Sequence, residues 1–275
     1  MQPEIGKYPV ELYGHFYSNR EETEQGMEND HCPFLGDTCK KRRKSEGESI
    51  GTCSVGYRGQ GQEKYRAHCI CPHRFETEAV LGELESILID DGEYFATPEV
   101  PLLGASIDYV VGKKSSDGTV LDFAGVEIQA LDTTGSVWDY REAYFDDDRD
   151  MAEVEQTYGI NWAMSITKTM MQQAFKKGQV FNEWGETLIF LLQDVSIEYL
   201  RDNYDASGLR SARDDDPVHF YTYSLIYNYG IEEYEWEIDE HLSADIEGVT
   251  NMMVAPDDQT PPTRDEFATL VSERL

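Results

Sequence analysis

The chain of 275 residues carries 54 acidic and 23 basic side chains, a formal charge of −31, and 40% of its residues are hydrophobic. This composition can form a buried core, and the lack of an apolar run of about 18 residues or of a signal-like start predicts a soluble, cytoplasmic protein with no membrane segment. Because acidic self-repulsion is screened when the Debye length falls to roughly 3 Å at about 1 M salt, we expect a halophilic protein from a salt-rich cytoplasm.

The N-terminal region contains all five cysteines of the chain, in a stretch short of aliphatic residues: Cys32, Cys39, Cys53, Cys69 and Cys71. An odd number in a reducing cytoplasm argues against a disulfide framework. Four thiolates around zinc or iron would stabilise a loop-rich segment without a core. The spacing is not that of a paired zinc ribbon, so free thiols remain the alternative, and His31, His68 or His73 could replace one cysteine.

Residues 1–80 are nearly neutral, with 11 basic against 13 acidic side chains, although the chain as a whole is acidic. The basic run KKRRK occupies positions 40–44, just after Cys39. Such a run is often a solvated loop. Beside a metal-binding module in an acidic chain, contact with phosphate is the favoured interpretation.

The elements predicted from residue 76 onward alternate between helix and strand. A helical spacing of apolar residues covers ETEAVLGELESILIDD, positions 76–91. A β-hairpin follows, with its reversal at Asp117-Gly118, and then two helices, the first capped by Gly178, and a tyrosine-rich strand. Their bounds are Ser106–Gly112 and Val120–Leu131 for the hairpin, Asn161–Lys177 and Asn182–Asn203 for the helices, and His219–Gly230 for the strand. The order predicts an α/β fold with a mixed sheet flanked by helices.

The hairpin holds polar residues in otherwise apolar strands. Glu127 and Gln129 are two residues apart and share one face, and pairing about the turn brings Asp108 roughly opposite Glu127. Two carboxylates and the backbone carbonyl of Ile128 form an all-oxygen site that suits Mg²⁺, and Gln129 could orient a water. The alternative is a solvated face with no chemistry.

Taken together, the cysteine pieces CPF, TCSVGY and CPHRF and the pieces IDYVV, DFAGVEIQALDTTG, INWAMSITKTMMQQAFKKG and FNEWGETLIFLLQD resemble the NotI family of restriction endonucleases. The resemblance runs from about Cys32 to about Tyr229. It implies a PD-(D/E)XK restriction-endonuclease-like core with a small Cys-rich module. The expected division is a metal-binding region at 1–75 and a nuclease domain at 76–275.

The same resemblance implies function and residue roles. It implies a homodimeric, Mg²⁺-dependent type II enzyme that cuts double-stranded DNA at a specific sequence, with a possible cognate methyltransferase. It carries catalysis to Asp108, Glu127 and Gln129, where Gln replaces the usual Lys, and Mg²⁺ to Asp108, Glu127 and the Ile128 carbonyl. It assigns structural iron or zinc to Cys32, Cys39, Cys53 and Cys71, with Cys71 preferred over Cys69.

Several residues have two interpretations at this point. Lys168, Lys176 and Lys177, among Gln172 and Gln173, could contact DNA or form a solvated helix face. One of Glu76, Glu78 and Glu83 could add a carboxylate to the metal site. Trp162, Trp184 and the tyrosines of the late strand are expected to pack in the core. Two other functions stay open: a non-catalytic, metal-stapled DNA-binding or regulatory protein, and a DNA repair nuclease of the same fold.

Overall fold

The structure, a computed structural model, describes residues 3–43, 47–59, 61–77, 80–82, 84, 93–155, 157–253 and 263–273. Its strands are β1 (Pro9–Leu12), β2 (His15–Phe16), β3 (His31–Cys32), β4 (Asp37–Thr38), β5 (Thr52–Tyr57), β6 (Arg66–Cys69), β7 (Glu93–Leu102), β8 (Ala105–Lys114), β9 (Val120–Gln129), β10 (Thr187–Gln193), β11 (Arg210–Ser211), β12 (Val218–Asn228) and β13 (Glu233–Ala244). Its helices are α1 (Arg20–Glu28), α2 (Trp138–Phe145), α3 (Met171–Trp184), α4 (Asp194–Asn203), α5 (Ile246–Asn251) and α6 (Arg264–Ser272). A π-helical segment, Ala163–Met170, runs directly into α3, and 3-10 turns lie at Pro72–Phe75 and Met151–Glu153.

The N-terminal region contains a small antiparallel sheet of order β2-β1-β5-β6. Val10 and Leu12 of β1 and Val55 of β5 are fully buried in it. The segment from Cys32 to Phe75 is therefore less loop-rich than its composition predicted, since β5 and β6 lie within it. Aliphatic residues before Cys32, in β1, supply the missing core.

The larger sheet has seven strands in the order β11-β13-β12-β10-β9-β8-β7. Strand β10 runs parallel to both β9 and β12, and the other pairs are antiparallel. Phe190 and Phe220 pack with Ala174 of α3 on one face, whereas Ile189 and Leu191 are buried on the other. The molecule is thus a mixed α/β protein with a large mixed sheet flanked by helices, as predicted.

The predicted hairpin is present as β8 and β9; β8 is three residues longer than predicted, and β9 is two residues shorter. Gly118 lies in its turn with φ +86°, a left-handed conformation that suits glycine. The tyrosine-rich strand is also confirmed, as β12. Residues 80–82 and 84 of the helix predicted at 76–91 are helical, and the rest of 78–92 lies outside the described residues.

Both helices predicted after the hairpin were wrong in their bounds. Gly178 does not end the first one: α3 continues to Trp184 and ends at Gly185, whose φ is +75°. Gly178 instead allows close packing, because a Cβ there would lie 2.7 Å from Cγ2 of Val218. The second prediction, Asn182–Asn203, contains β10 before α4. A strand buried on both faces is apolar throughout, so its sequence resembles a buried helix.

Direct contacts join the two sheets. The Cys69 amide donates to Oε1 of Gln193 at 2.8 Å, and the Cys69 carbonyl accepts from the Leu131 amide at 2.9 Å. Arg74, which forms a buried ion pair with Glu11 of β1, also donates from Nη2 to the Tyr234 carbonyl of β13 at 2.5 Å. The boundary at residue 75 stays a prediction, with extensive contact across it.

Among the residues that the structure describes, no helix is both long enough and apolar enough to cross a bilayer.

Candidate active site

Asp108 and Glu127 are neighbours across the hairpin. The pairing of β8 with β9 includes Tyr109 opposite Val126, so Asp108 and Glu127 are the next residues on the two strands. After Asp108 and Glu127, a side chain replaces the backbone hydrogen bonds between the strands: Oδ2 of Asp108 accepts from the Ile128 amide at 2.8 Å. The carboxylate of Asp108 is therefore fixed against the backbone between Glu127 and Gln129.

Glu127 and Gln129 face α3 and not open solvent. Glu127 is level with Phe190 of β10, and Gln129 with Leu192, on the sheet face that α3 covers. Only 3% of Glu127 and 8% of Gln129 is exposed. The alternative of a solvated polar face was therefore wrong. The Gln129 amide donates from Nε2 to the Ala130 carbonyl at 2.7 Å.

A buried lysine from α3 completes the group. Lys177 Nζ contacts Oε1 of Glu127 in an ion pair, and it donates to the Ser106 carbonyl at 2.7 Å. Lys177 was expected either on a solvated face or against DNA. It is instead almost completely buried, with 4% of its side chain exposed.

The electrostatics of the two carboxylates reflect this burial. Desolvation raises the pKa of Glu127 to about 7, with Lys177 opposing the rise and the Asp108 charge adding to it. The pKa of Asp108 is also raised, first by burial, against the hydrogen bond from Ile128. Both acids are thus held where a nearby cation would favour their charged forms.

The pair opens into a cleft of about 500 Å³. The hairpin and the helical segments form one side of it, and the N-terminal region forms the other. The residues that line it are Lys40, Lys41, Ile70, Pro72, His73, Asp108, Glu127, Ile128, Gln129, Ala130, Leu131, Asp132, Thr169 and Gln173. Acidic and basic side chains therefore meet in one open space large enough for a section of nucleic-acid backbone.

Two carboxylate oxygens remain available for a cation. Oδ1 of Asp108 and Oε2 of Glu127 accept no hydrogen bond from any residue that the structure describes. Within the same residues, no group of three or more His, Cys, Asp or Glu side chains is placed to hold a metal ion. The donor set fits Mg²⁺ in kind, because Mg²⁺ is usually bound by one or two carboxylates and completes its shell with water and phosphate oxygens.

The four cysteines expected to bind iron or zinc are buried free thiols. Cys53 and Cys71 are in hydrogen-bonding contact, which lowers the pKa of Cys71 to about 6, while burial raises the pKa of Cys32 and Cys39. Cys71 interacts electrostatically with Cys32 and Cys39 as well. The four thiols thus lie near one another. They are soft ligands of the number that a structural metal requires, although their arrangement is not that of a formed site.

Cys69 and the three nearby histidines have other environments. Cys69 is buried with Phe75, Val126 and Tyr223 against the large sheet, and its thiol donates to the Cys71 carbonyl at 3.3 Å. His68 is buried, which lowers its pKa to about 4, and it bonds the Arg66 carbonyl at 2.9 Å. His31 is exposed, and His73 bonds Glu76 at 2.7 Å.

The remaining candidate residues, from the helix that follows the hairpin and from the segment before it, differ in exposure and in hydrogen bonding. Lys168, Lys176 and Gln172 are exposed and border a smaller groove of about 220 Å³ next to the cleft. Both carboxylate oxygens of Glu76 are hydrogen-bonded: Oε1 to His73 at 2.7 Å, and Oε2 to the Tyr109 hydroxyl, which donates to it at 2.9 Å. Glu78 and Glu83 lie outside the described residues.

The expected core aromatics were only partly right. Trp162 stacks on Tyr199 with ring centroids 4.7 Å apart, and Tyr221 and Tyr223 are buried. Trp184 is 51% exposed and Tyr229 59% exposed, so neither is a core residue.

Sequence reasoning named Lys177 but missed its contact with Glu127, and it missed Glu99 altogether. Lys177 lies on the apolar stripe of its helix, three residues after buried Ala174 and four before buried Phe181, and that position was the available signal. Glu99 of β7 adds negative charge near Asp108 and Glu127, and its φ of +54° is rare for a residue other than glycine. No sequence pattern indicated Glu99.

Comparison with known proteins gives one family. The family model described as Restriction endonuclease NotI matches residues 19–200. No curated protein matches the chain. The matched range contains the cysteine segment, the hairpin and α3, which contribute residues to the cleft, and β10, which pairs with β9.

Proposed function

The chain belongs to the NotI restriction endonuclease family and is a site-specific deoxyribonuclease, and we propose that it hydrolyses double-stranded DNA with Mg²⁺ bound by Asp108, Glu127 and the Ile128 carbonyl. The observation that carries the proposal is the carboxylate pair, adjacent across β8 and β9 and open to a cleft that also contains lysines. In this proposal the large mixed sheet is a PD-(D/E)XK core.

The chemistry assigned to the residues is metal-assisted hydrolysis. When bound, Mg²⁺ would polarise the phosphodiester and lower the pKa of a bound water. Asp108 and Glu127 would hold the ion through Oδ1 and Oε2. Gln129 Oε1 accepts no hydrogen bond from the described residues, so it can accept one from the attacking water and orient it. The water would add to phosphorus and release a proton to solvent, while the bond from phosphorus to the leaving oxygen would break and that oxygen would take up a proton from solvent.

The basic run would bind the DNA backbone on the other side of the cleft. Lys40 and Lys41 line the cleft, whereas Arg42 pairs with Asp30 and Arg43 lies over the Trp138 ring. Lys44 lies outside the described residues. The phosphate contact proposed for KKRRK therefore falls on its first two residues.

The cysteine region would provide a rigid wall for the cleft. Cys32, Cys39, Cys53 and Cys71 would bind structural iron or zinc, and the N-terminal region 1–75 would be the metal-binding unit beside the nuclease domain 76–275. Lys40 follows Cys39 directly, and Ile70 and Pro72 flank Cys71, and all three line the cleft. A metal bound by the thiols would therefore fix the cleft residues next to them.

The proposal also covers the oligomeric state, a partner enzyme and the salt concentration of the cytoplasm. A homodimer would cut both strands of a palindromic site, one strand per subunit. A cognate DNA methyltransferase would protect the host genome. The formal charge of −31 suits a salt-rich cytoplasm, where phosphate-driven affinity weakens and base contacts must supply more of the binding.

Digestion of plasmid and phage DNA tests the proposed function. Purified protein is incubated with each DNA in a salt series, with Mg²⁺ or with EDTA, and the products are separated on a gel. The expected result is a set of discrete bands that requires Mg²⁺. A smear would favour a repair-type nuclease with little sequence preference, and intact DNA at every salt concentration would refute the proposal.

A further inference from the structure

Lys177 connects α3 to both strands that carry the acids. Its ammonium contacts Oε1 of Glu127 on β9 and bonds the Ser106 carbonyl on β8 at 2.7 Å. Ser106 is two residues before Asp108. One side chain therefore fixes the separation of the two strands at the point where the carboxylates meet.

Burial of the Lys177 ammonium group costs free energy of folding. It lies on the buried stripe of α3, between Ala174 and Phe181, where an apolar residue would pack without loss of hydration. A buried ammonium is tolerated only with close, well-placed partners, and replacing such a pair by apolar residues often stabilises a protein. Stability alone therefore gives no reason for a lysine here.

Strand β9 supplies no cation of its own at this end. Gln129, two residues after Glu127 on the same face, is neutral, and its amide nitrogen is bonded to the Ala130 carbonyl. Lys40 and Lys41 belong to the opposite wall, where Lys40 pairs with Asp37 and Lys41 donates to the Ile70 carbonyl. Among the described residues, Lys177 is the cation that contacts an acid of the pair.

We propose that Lys177 is a positioning residue for the reaction: it holds Oε1 of Glu127, leaves Oε2 for the metal, and supplies the positive charge that Gln129 lacks. The inference rests on the proposed nuclease function. The positive charge thus comes from helix α3 and not from strand β9, where Gln129 stands in place of the usual Lys. It acts through Glu127, because its ammonium is buried beneath that carboxylate.

The main test compares Lys177→Gln with the wild-type enzyme in single-turnover cleavage over a Mg²⁺ titration. The rate at saturating Mg²⁺ should fall about 100-fold, the order of loss for one electrostatic group in a catalytic site. Removal of a positive charge beside two acids should not raise the half-saturating Mg²⁺ concentration. A purely structural ion pair predicts the opposite: a higher Mg²⁺ requirement and recovery of the wild-type rate at saturation. That result would overturn the inference.

A rescue variant makes the test sharper. Gln129→Lys in the Lys177→Gln background returns a cation to the same face of β9 and should recover at least tenfold of the lost rate. Lys113→Gln, on β8 at the far end of the hairpin, is the matched control and should cleave at the wild-type rate. Absence of any rescue in a double variant that binds DNA like the wild type would count against the inference.

Folding and the underlying function are checked separately. If Lys177→Gln does not show a cooperative thermal transition, Lys177→Arg decides, because it keeps the charge: the inference expects a rate within about tenfold of wild type, and a folded, inactive Arg variant contradicts it. If the wild-type protein itself fails to cut DNA, the proposed function has failed. If the wild type cuts and Lys177→Gln cuts equally well, only the role of Lys177 has failed.

Discussion

The carboxylate pair and the cysteine cluster were both predicted as metal sites, and they differ in their access to the cleft. Asp108 and Glu127 lie at the end of a strand pair and line an open cleft of about 500 Å³. The cysteines are buried, and their thiols contact one another and backbone carbonyls. A metal that takes part in a reaction needs an open coordination position, whereas a structural metal is enclosed. Access to the cleft therefore separates the two roles better than ligand chemistry does.

The largest expected effect tests the open site. Asp108→Asn and Glu127→Gln keep side-chain volume but remove the charge that binds the metal. Each should lower the cleavage rate by about 10³-fold, an upper value for loss of one electrostatic group, while DNA affinity measured in Ca²⁺ stays within threefold. The control is Asp122→Asn, which changes an exposed acid on β9, the strand of Glu127; this variant should cleave at the wild-type rate. Wild-type rates in either site variant would remove the carboxylates from the mechanism.

The cysteine cluster is tested by a matched pair of variants, Cys71→Ser and Cys69→Ser. Cys71→Ser should lose bound iron or zinc, as measured by elemental analysis, and should lower the Tm by roughly 10 °C, since metal-binding energy is folding energy. Cys69→Ser should keep the metal, because the Cys69 thiol already donates to the Cys71 carbonyl and its side chain packs with Phe75 and Val126. Equal metal loss in both variants, or full metal content in Cys71→Ser, would show that the ligand set is wrong.

The packing of the N-terminal region against the large sheet is tested at Arg74. Its ion pair with Glu11 is buried, and it also donates to the Tyr234 carbonyl at 2.5 Å. Arg74→Met leaves Glu11 without its partner and should cost about 3–5 kcal/mol in urea unfolding. Arg201→Met, which breaks an exposed pair with Glu240, should cost less than about 1 kcal/mol. Equal losses would mean that burial does not set the strength of these pairs.

A smaller effect is expected at the basic wall of the cleft. Lys40→Gln should weaken DNA binding uniformly across sequences and reduce the slope of log Kd against log salt by about 1. The measurement is fluorescence anisotropy at several salt concentrations. Lys64→Gln, an exposed lysine that does not line the cleft, should leave the slope unchanged. An unchanged slope for Lys40→Gln would remove this residue from the DNA contact.

The smallest effect is a pH dependence of the link between β2 and β13. His15 bonds Glu233 at 3.0 Å, and this hydrogen bond raises the pKa of His15 above its ordinary 6.5. The folded state therefore binds the proton more tightly than the unfolded state. The stabilisation is complete below pH 6.5 and is lost as pH rises through the folded value. Urea unfolding of His15→Gln should lack this decline, and an identical pH profile would contradict it.

The hairpin was predictable because its signal is local. Apolar alternation, an Asp-Gly turn and two acids at matched distances from that turn define β8 and β9, and they bring Asp108 beside Glu127. The end of α3 and the existence of β10 were not predictable, because they depend on tertiary packing. Gly178 looks like a helix stop until its contact with Val218 is known.

The same limit applied within the site. Lys177 is 50 residues from Glu127 in sequence, so no spacing pattern could pair them. Glu99 contributes through the position of an edge strand that was not predicted at all. The sequence therefore indicated the two carboxylates of the candidate site, and the structure was needed to find the charged groups around them.

Crystallography with Mn²⁺ tests the central claim most directly, because anomalous scattering locates the ion without any assay of activity. The account predicts an anomalous peak about 2.0–2.2 Å from oxygens of both Asp108 and Glu127, with Lys177 still bound to the other oxygen of Glu127. Ordered Asp108 and Glu127 side chains with no peak between them, in crystals that show Mn²⁺ elsewhere, would contradict it.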